Sequence, residues 1–305
     1  MTVSKQPPTA EGEPKPLTMK DYTSETKVTW CPGCGDFALL AGVRKALAAM
    51  GKHTKDVVIV SGIGCSSNFP HFLTSYGLHS IHGRALPVAT GVKLARPELT
   101  VIVAGGDGDG LAIGAGHFLH GMRRNLDLTY VLMDNEIYGL TVGQASPTSL
   151  MGHQTKSTPE GVIEHPINPI ALAITAGATF VARAFSGDNK GLSELVQQGI
   201  EHKGFAFIDT MSPCVTFNKW NTYDWFKERV YNLSDQGHDP TNLQAAMARA
   251  LEFPTLGNDK VPIGLFYRNT SKPTYEELEP ALRKGSLLTR PVDFPDRESV
   301  LKEFY

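Results

Sequence analysis

The chain has 305 residues, 41% of them hydrophobic, and its 29 Lys and Arg against 31 Asp and Glu leave a net charge of −2. That size supports one large α/β core, or a core with a smaller appendage, and the near-neutral balance argues for no nucleic-acid partner and no anionic membrane surface. No apolar run reaches the ~20 residues that span a bilayer, and the opening MTVSKQPPTAEGEPKP puts prolines and acids where a signal peptide is apolar, so a cytoplasmic protein is expected.

Residues 1–27 are rich in Pro, Glu and Lys without a hydrophobic period and read as an extended arm. Trp30-Cys-Pro-Gly-Cys-Gly-Asp36 follows, and the stripe Leu39, Leu40, Val43, Leu47 predicts a helix over 37–50. The run 56–60 predicts a short strand leading into Ser61-Gly-Ile-Gly-Cys65-Ser-Ser-Asn68. Residues 69–90 carry His71, His79 and His82 among Gly and Pro, a composition that suits a pocket wall. His82 is the strongest catalytic candidate of the three, because Gly83 beside it lets backbone and imidazole approach a bound ring.

The centre of the chain is a strand at 100–104 that stops at Gly105-Gly-Asp107-Gly-Asp109-Gly110, with a small-residue helix pattern over 111–124. A second apolar run, 128–133, ends on Asp134-Asn135. Two buried strands thus deliver oxygen-bearing side chains at their C-terminal ends, the edge where open α/β sheets bind ligands. The chemistry suggested is a magnesium-held diphosphate. Asp107 offers a hard carboxylate, Asn135 a neutral carbonyl, and a backbone carbonyl just beyond a third oxygen. The glycines let amides approach the phosphates, and the helix N-terminus faces the negative charge. A lone Gly-Asp-Gly is more often only a turn, but with Asn135 placed 26 residues on it resembles the diphosphate motif of thiamine-diphosphate enzymes.

Residues 138–148 form a polar, Gly- and Pro-punctuated loop and 151–167 a mobile surface loop. A helix at 169–176, strand at 178–184, helix at 189–202 and strand at 205–209 follow, the last ending at Met211-Ser-Pro-Cys214. This alternation predicts an α/β fold: a doubly wound, mainly parallel sheet with helices on both faces over 28–216. Residues 217–305 change to aromatic and charged character and are expected as a C-terminal extension packing on the core and on a partner, with a strand at 261–267 and helices near 274–284 and 296–304.

Cys31, Cys34, Cys65 and Cys214 are the chain's four cysteines, and the topology brings their loops towards one side of the sheet. Four thiolates can hold zinc or a [4Fe–4S] cluster; a Cys-x-x-Cys dithiol would leave Cys65 and Cys214 unexplained. Chemistry favours the cluster. A 2-oxoacid decarboxylated on thiamine diphosphate leaves an electron-rich product needing an acceptor, and no Gly-x-Gly-x-x-Gly follows a predicted strand to bind a nicotinamide.

With these segments together, residues 28–218 resemble the β subunits of 2-oxoacid:ferredoxin oxidoreductases. The likeness is carried by Trp-Cys-Pro-Gly-Cys-Gly, Ser-Gly-Ile-Gly-Cys-Ser-Ser, His-Gly-Arg-Ala, Gly-Asp-Gly-Asp-Gly, Asp-Asn-Glu-Ile-Tyr-Gly-Leu-Thr, Gly-Gln-Ala-Ser-Pro-Thr and Ser-Pro-Cys. It implies a thiamine-diphosphate-binding fold, one [4Fe–4S] cluster on Cys31, Cys34, Cys65 and Cys214, and magnesium on Asp107, Asn135 and the Ile137 carbonyl. It implies thiamine-diphosphate contacts from Ile63, Gly64, Cys65 and Ser66, from His82, Gly83, Arg84 and Ala85, from Gly108 and Asp109, and from Gly139 and Leu140. The acid that activates the thiamine would lie on a larger α subunit, which would also bind coenzyme A, in a heterodimer or a dimer of heterodimers. The implied reaction converts 2-oxoacid, CoA and oxidised ferredoxin to acyl-CoA, CO2 and reduced ferredoxin, reversibly.

The run 64–73 with the following His-Ser-Ile-His-Gly-Arg looks more like the 2-oxoglutarate members than the pyruvate or broad-specificity ones. A second substrate carboxylate needs a cation or several donors; Arg84 is a candidate, and Asn68 stands where family members often carry a basic residue. Two other readings are a zinc-stabilised, non-oxidative thiamine-dependent lyase and a zinc-stabilised scaffold subunit.

Overall fold

A computed structural model describes residues 16–253, 259–283, 285–288 and 297–304. Residues 1–15 of the expected arm, and part of the stretch beyond 284, lie outside the described residues.

Among the described residues, eight strands form one sheet in the order β2-β1-β3-β4-β6-β5-β8-β7. They are β1 (Val57–Ser61), β2 (Tyr76–His79), β3 (Thr100–Gly106), β4 (Leu128–Asp134), β5 (Phe180–Phe185), β6 (Phe205–Met211), β7 (Val230–Asn232) and β8 (Val261–Arg268). The first six run parallel, and β8 pairs with β5 in the opposite sense. Every residue of β1, β4, β5 and β6 is buried, as strands covered on both faces must be, which is why they are near-continuous apolar runs in the sequence.

One face is covered by α2 (Ala85–Ala95), α3 (Ala115–Arg124), α4 (Pro169–Ala176) and α7 (Leu243–Ala250), which bring Leu86, Phe118, Met122, Ile170 and Ala246 onto Val103, Tyr130 and Phe207. The other is covered by α1 (Asp36–Ala49) and α5 (Asn189–Glu201), with Leu39, Val43 and Val196 against Ile102, Val131 and Ile208. Helix starts follow ordinary capping: the Asn168 side chain accepts from Ala171 N–H ahead of Pro169, and the Asp188 side chain from Gly191 N–H. The doubly wound, mainly parallel sheet is as expected.

Three places differ from expectation. The stretch 69–90 contains regular structure, a 3₁₀ segment over Cys65–Phe72, the edge strand β2 and the start of α2. The helix after Gly110 begins with a wide π turn, Asp109–Ile113, before α3. The stretch 151–167 is partly buried and not wholly at the surface: Gly152 N–H donates to Val162 O, Val162 N–H donates to His153 O, and His153, buried, stacks on Trp220 at 5.3 Å.

The end of the N-terminal segment lies on its own core, since Tyr22 is fully buried and donates to Leu47 O at 3.1 Å. Among the described residues no helix is long and apolar enough to cross a membrane. Beyond residue 217, α6 (Tyr223–Lys227), β7, α7 and β8 extend the core sheet, and the predicted 274–284 helix is a short turn, Tyr275–Leu278, followed by a 3₁₀ turn.

Candidate active site

The C-terminal ends of β1, β3 and β4 open into a cavity of about 510 Å³, within the range of cofactor sites. It is lined by Ile63, Gly64, Cys65, Ser66 and His82, by Gly106 to Asp109, by Asn135, Ile137, Tyr138, Gly139 and Leu140, and by Met133, Thr141 and Gln144. All three expected metal ligands outside the cysteines therefore share this wall with Cys65. Gly83, Arg84 and Ala85, expected as cofactor contacts, do not line it. Arg84 instead donates to the carbonyls of Gly83 and Ile113, both at 3.2 Å. Asn68 also stands apart, with its amide 3.4 Å from Thr29 Oγ1. Arg84 Nη1 and the Asn68 amide thus reach neighbouring chain, and neither residue is among those lining this cavity.

Asp109 holds three loops together. Its Oδ1 accepts from Ile63 N at 2.8 Å and Gly83 N at 2.7 Å, and lies 3.0 Å from His82 Nδ1. Two backbone N–H groups make this oxygen an acceptor, so Nδ1 carries the imidazole proton and Nε2 is left for a ligand. The wide π turn is what lets Asp109 fold back onto these loops, and Gly114 is needed there because a Cβ would meet Asp109 O at 2.5 Å. Tyr138 donates to Gly108 O at 3.1 Å and its ring fills the space of a Gly108 side chain. Gly106, in contrast, has nothing within 4 Å of a Cβ position, an open cradle on the cavity side.

The donor set fits a divalent cation with diphosphate. Asp107 is 2% exposed, and Thr148 Oγ1 lies 2.7 Å from its Oδ2 and 2.8 Å from Asp134 Oδ1. Burial and the neighbouring Asp107 push Asp134 well above the usual carboxylate range, whereas burial pushes Asp107 up to about 6, opposed by hydrogen bonds from Ser146 and Thr148. Asn135 Oδ1 takes Ile137 N–H at 3.1 Å, and Asn218 Nδ2 donates to Asn135 O at 3.0 Å. This turn passes through Glu136 at φ 55°, a left-handed conformation rare outside glycine.

Cysteine thiols abut the cavity. A Cβ on Gly139 would lie 3.4 Å from Cys65 Sγ, 3.6 Å from Cys214 Sγ and 3.9 Å from Asn135 Nδ2. Burial, with Asp36, Cys214 and Cys31 nearby, pushes the Cys65 thiol up to about 12, and burial and Asp36 push Cys34 up as well. Among the described residues no three His, Cys, Asp or Glu side chains converge on a single metal ion. Trp30, packed between Phe37 and Phe72, fixes the Cys65 loop by donating to Cys65 O at 2.7 Å.

Sequence reasoning singles out Asp107, Asn135, Ile137, the cysteines and the glycines around Asp107, and gives no role to Thr148, Ser149, Gln144, Tyr138, Met133 or Asn218. Gln144 and Thr148 stand in Gly-Gln-Ala-Ser-Pro-Thr, which carries the family likeness.

A parallel sheet with this glycine-acid turn and strand-end Asn defines a subunit of the thiamine-diphosphate enzymes, and the family model described as the thiamine pyrophosphate enzyme C-terminal TPP binding domain matches residues 48–210. The family model for the C-terminal part of the pyruvate ferredoxin oxidoreductase beta subunit matches 214–284. The chain belongs to the β subunits of the 2-oxoacid:ferredoxin oxidoreductases. It is 46% identical over 292 residues to the Saccharolobus solfataricus 2-oxoacid:ferredoxin oxidoreductase subunit beta, covering 90% of this chain and 95% of that one. It is 50% identical over 204 residues to the Mycobacterium tuberculosis 2-oxoglutarate oxidoreductase subunit KorB, covering 67% and 55%. A solved Magnetococcus marinus 2-oxoglutarate:ferredoxin oxidoreductase, with 2-oxoglutarate, coenzyme A and succinyl-CoA bound, superimposes with a TM-score of 0.86 at 44% identity, covering 95% and 96%.

Proposed function

We propose that the chain is the β subunit of a 2-oxoglutarate:ferredoxin oxidoreductase, interconverting 2-oxoglutarate, CoA and oxidised ferredoxin with succinyl-CoA, CO2 and reduced ferredoxin in the cytoplasm. The observation that carries this reading is Gly139, whose missing side chain leaves the Cys65 and Cys214 thiols against the wall that also holds Asn135. A redox centre on these thiols and a diphosphate site would be adjacent there. The KorB relative and the Magnetococcus marinus enzyme bear 2-oxoglutarate in their names, which supports that substrate over pyruvate.

Asp107, Asn135 Oδ1 and the Ile137 carbonyl would hold magnesium with the diphosphate, and Cys31, Cys34, Cys65 and Cys214 a [4Fe–4S] cluster. Cys65 and Cys214 lie against one wall of the cavity, and four cysteine thiolates are the ligand set such a cluster takes. Bound here, thiamine diphosphate supplies the nucleophilic carbon that lets a 2-oxoacid lose CO2, and the cluster accepts electrons singly. This chain's residues prepare the place. Ile63, Met133 and Leu140 exclude water, Gly106 leaves room for the cofactor, and His82, oriented by Asp109, keeps Nε2 free to hold a proton. A larger α subunit would supply the thiamine-activating acid, the coenzyme A site and, with Arg84 tied to backbone, the cation for the distal carboxylate.

The test is anaerobic co-purification with the α subunit, an iron and sulfide assay, and a visible spectrum. A brown complex with roughly four iron and four sulfide per chain, bleached by 2-oxoglutarate with CoA faster than by pyruvate with CoA, supports the reading. A colourless complex with one zinc per chain overturns it.

A further inference from the structure

Two side chains flank the cysteine pair, and both leave it for other loops. Trp30 precedes Cys31, and Asp36 follows Cys34 by two residues. Between them the chain makes a tight turn, with Cys34 N–H donating to Cys31 O at 3.0 Å, and then enters α1. Trp30 Nε1 donates to Cys65 O at 2.7 Å. Asp36 is fully buried, and its Oδ1 accepts from the hydroxyl of Ser212, which is equally buried and stands two residues before Cys214. Each flank of the pair thus holds the loop of one of the two remaining cysteines.

Capping does not account for Asp36, since α1 opens on Gly35 without a side-chain cap. A carboxylate in the first turn suits the helix dipole, but that benefit is equally available facing solvent, whereas a buried carboxylate is costly unless it is bonded. The burial serves the contact with Ser212. That contact is close: Gly35 N–H donates to Pro213 O at 3.3 Å, and a Cβ on Gly35 would stand 2.5 Å from Ser212 Oγ and 2.7 Å from its Cα. A side chain at 35 would push the two segments apart.

Ser212 reaches in a second direction as well. Its N–H donates to Asp134 O at 2.8 Å, at the end of β4 and one residue before Asn135. One serine therefore joins the cysteine pair, the Cys214 loop and the strand end that carries Asn135. Leu39, Leu40, Val43 and Leu47 pack α1 into the core, and β6 is buried along its length. The bond between these two packed elements sets how their cysteine-bearing ends stand relative to each other.

We infer that Asp36 and Ser212 are positioning residues for the four-cysteine site: their bond sets Cys214 against Cys31 and Cys34 before a cluster is inserted, as Trp30 sets Cys65. This rests on the reading that Cys31, Cys34, Cys65 and Cys214 hold a [4Fe–4S] cluster.

The experiment measures iron release from the complex with the α subunit to a ferrous chelator, anaerobically, together with thermal unfolding of the cluster-depleted complex. Ser212→Ala and Asp36→Ala should each release iron about tenfold faster than the parent, in the range for groups behind metal ligands. Because both remove one bond, the double alanine variant should be no faster than the quicker single. Asp36→Asn keeps the acceptor oxygen and loses the charge, so its release rate should stay near that of the parent. Parent-like release in the two alanine variants, multiplied effects in the double variant, or Asp36→Asn as fast as Asp36→Ala overturns the inference. Ser212→Ala strands a buried carboxylate, so the double variant is the folded control, and its cluster-depleted complex should melt within a few degrees of the parent. Faster release only where that complex also melts early is loss of fold and likewise overturns the inference. A parent complex without iron and sulfide would instead overturn the underlying assignment of the cluster.

Discussion

A side chain at Gly62 would place its Cβ 1.8 Å from Asp109 Oδ2, while the other oxygen of that carboxylate receives the amides of Ile63 and Gly83. The two residues are 47 positions apart and fit only as a glycine with an acid. Asp109→Ala leaves two buried amides without an acceptor, a loss on the order of 3 kcal/mol since bonds to charged groups contribute about 1.5–3 each. Gly62→Ala should act alike by displacing the carboxylate. Thermal unfolding alongside thiamine-diphosphate titration checks this: both variants should melt earlier and bind more weakly.

Gly139→Ala addresses the thiol wall. The added methyl sits at ordinary contact distance from Cys65 and Cys214 sulfurs, so the metal-free chain should keep its melting temperature within a few degrees, as a change of under about 1 kcal/mol implies. It occupies the space that a cluster's sulfide and iron atoms would need. Iron and sulfide per chain should fall well below those of the parent; equal content would show that the cluster lies elsewhere.

Asn218 is 1% exposed and joins two turns, since its amide donates to Asn135 O and its Oδ1 accepts from Trp220 N and Asn221 N, both at 3.0 Å. Asn218→Asp keeps the acceptor and turns a carboxylate oxygen towards the Asn135 carbonyl. Cation affinity should drop about 10- to 100-fold, with the 218–221 turn retained. Isothermal titration with Mn2+ and thiamine diphosphate reads the first, and near-ultraviolet circular dichroism of Trp220 the second.

His202, 7% exposed, bonds to Thr179 Oγ1 at 2.8 Å; Thr179 donates to Asn125 Oδ1, so the imidazole gives its Nε2 proton. Burial and Arg268 bring its pKa down to about 4. A depressed histidine is neutral when folded, so its contribution is present above the unfolded value near 6.5 and is lost as pH falls through about 4. Between those limits stability should drop by roughly 3 kcal/mol, at about 1.4 per pH unit. Urea unfolding at pH 7 and 4.5 measures this, and His202→Gln should flatten the dependence.

The buried strands were legible because β3 and β4 are covered on both faces and so read as unbroken apolar runs. The strand-end acids and amides followed from that. β2 was not legible, since all four of its residues are exposed and no alternation marks it. The α2 helix carries Pro87 in its first turn and follows a His- and Gly-rich approach, which hides its start. Asp109 reads in the sequence as a cofactor contact because its neighbours in Gly-Asp-Gly-Asp-Gly do; its partners are 46 and 26 residues away, a relation only folding reveals.

The sheet ends in a four-residue strand, β2, on one side and a three-residue strand, β7, on the other. Unpaired strand edges are templates on which further chains can add, and short ones offer few rungs. An eight-stranded sheet with a largely apolar interior thus presents little ladder for lateral growth, so crowding of the protein in the cell should favour its specific assembly over fibrous association.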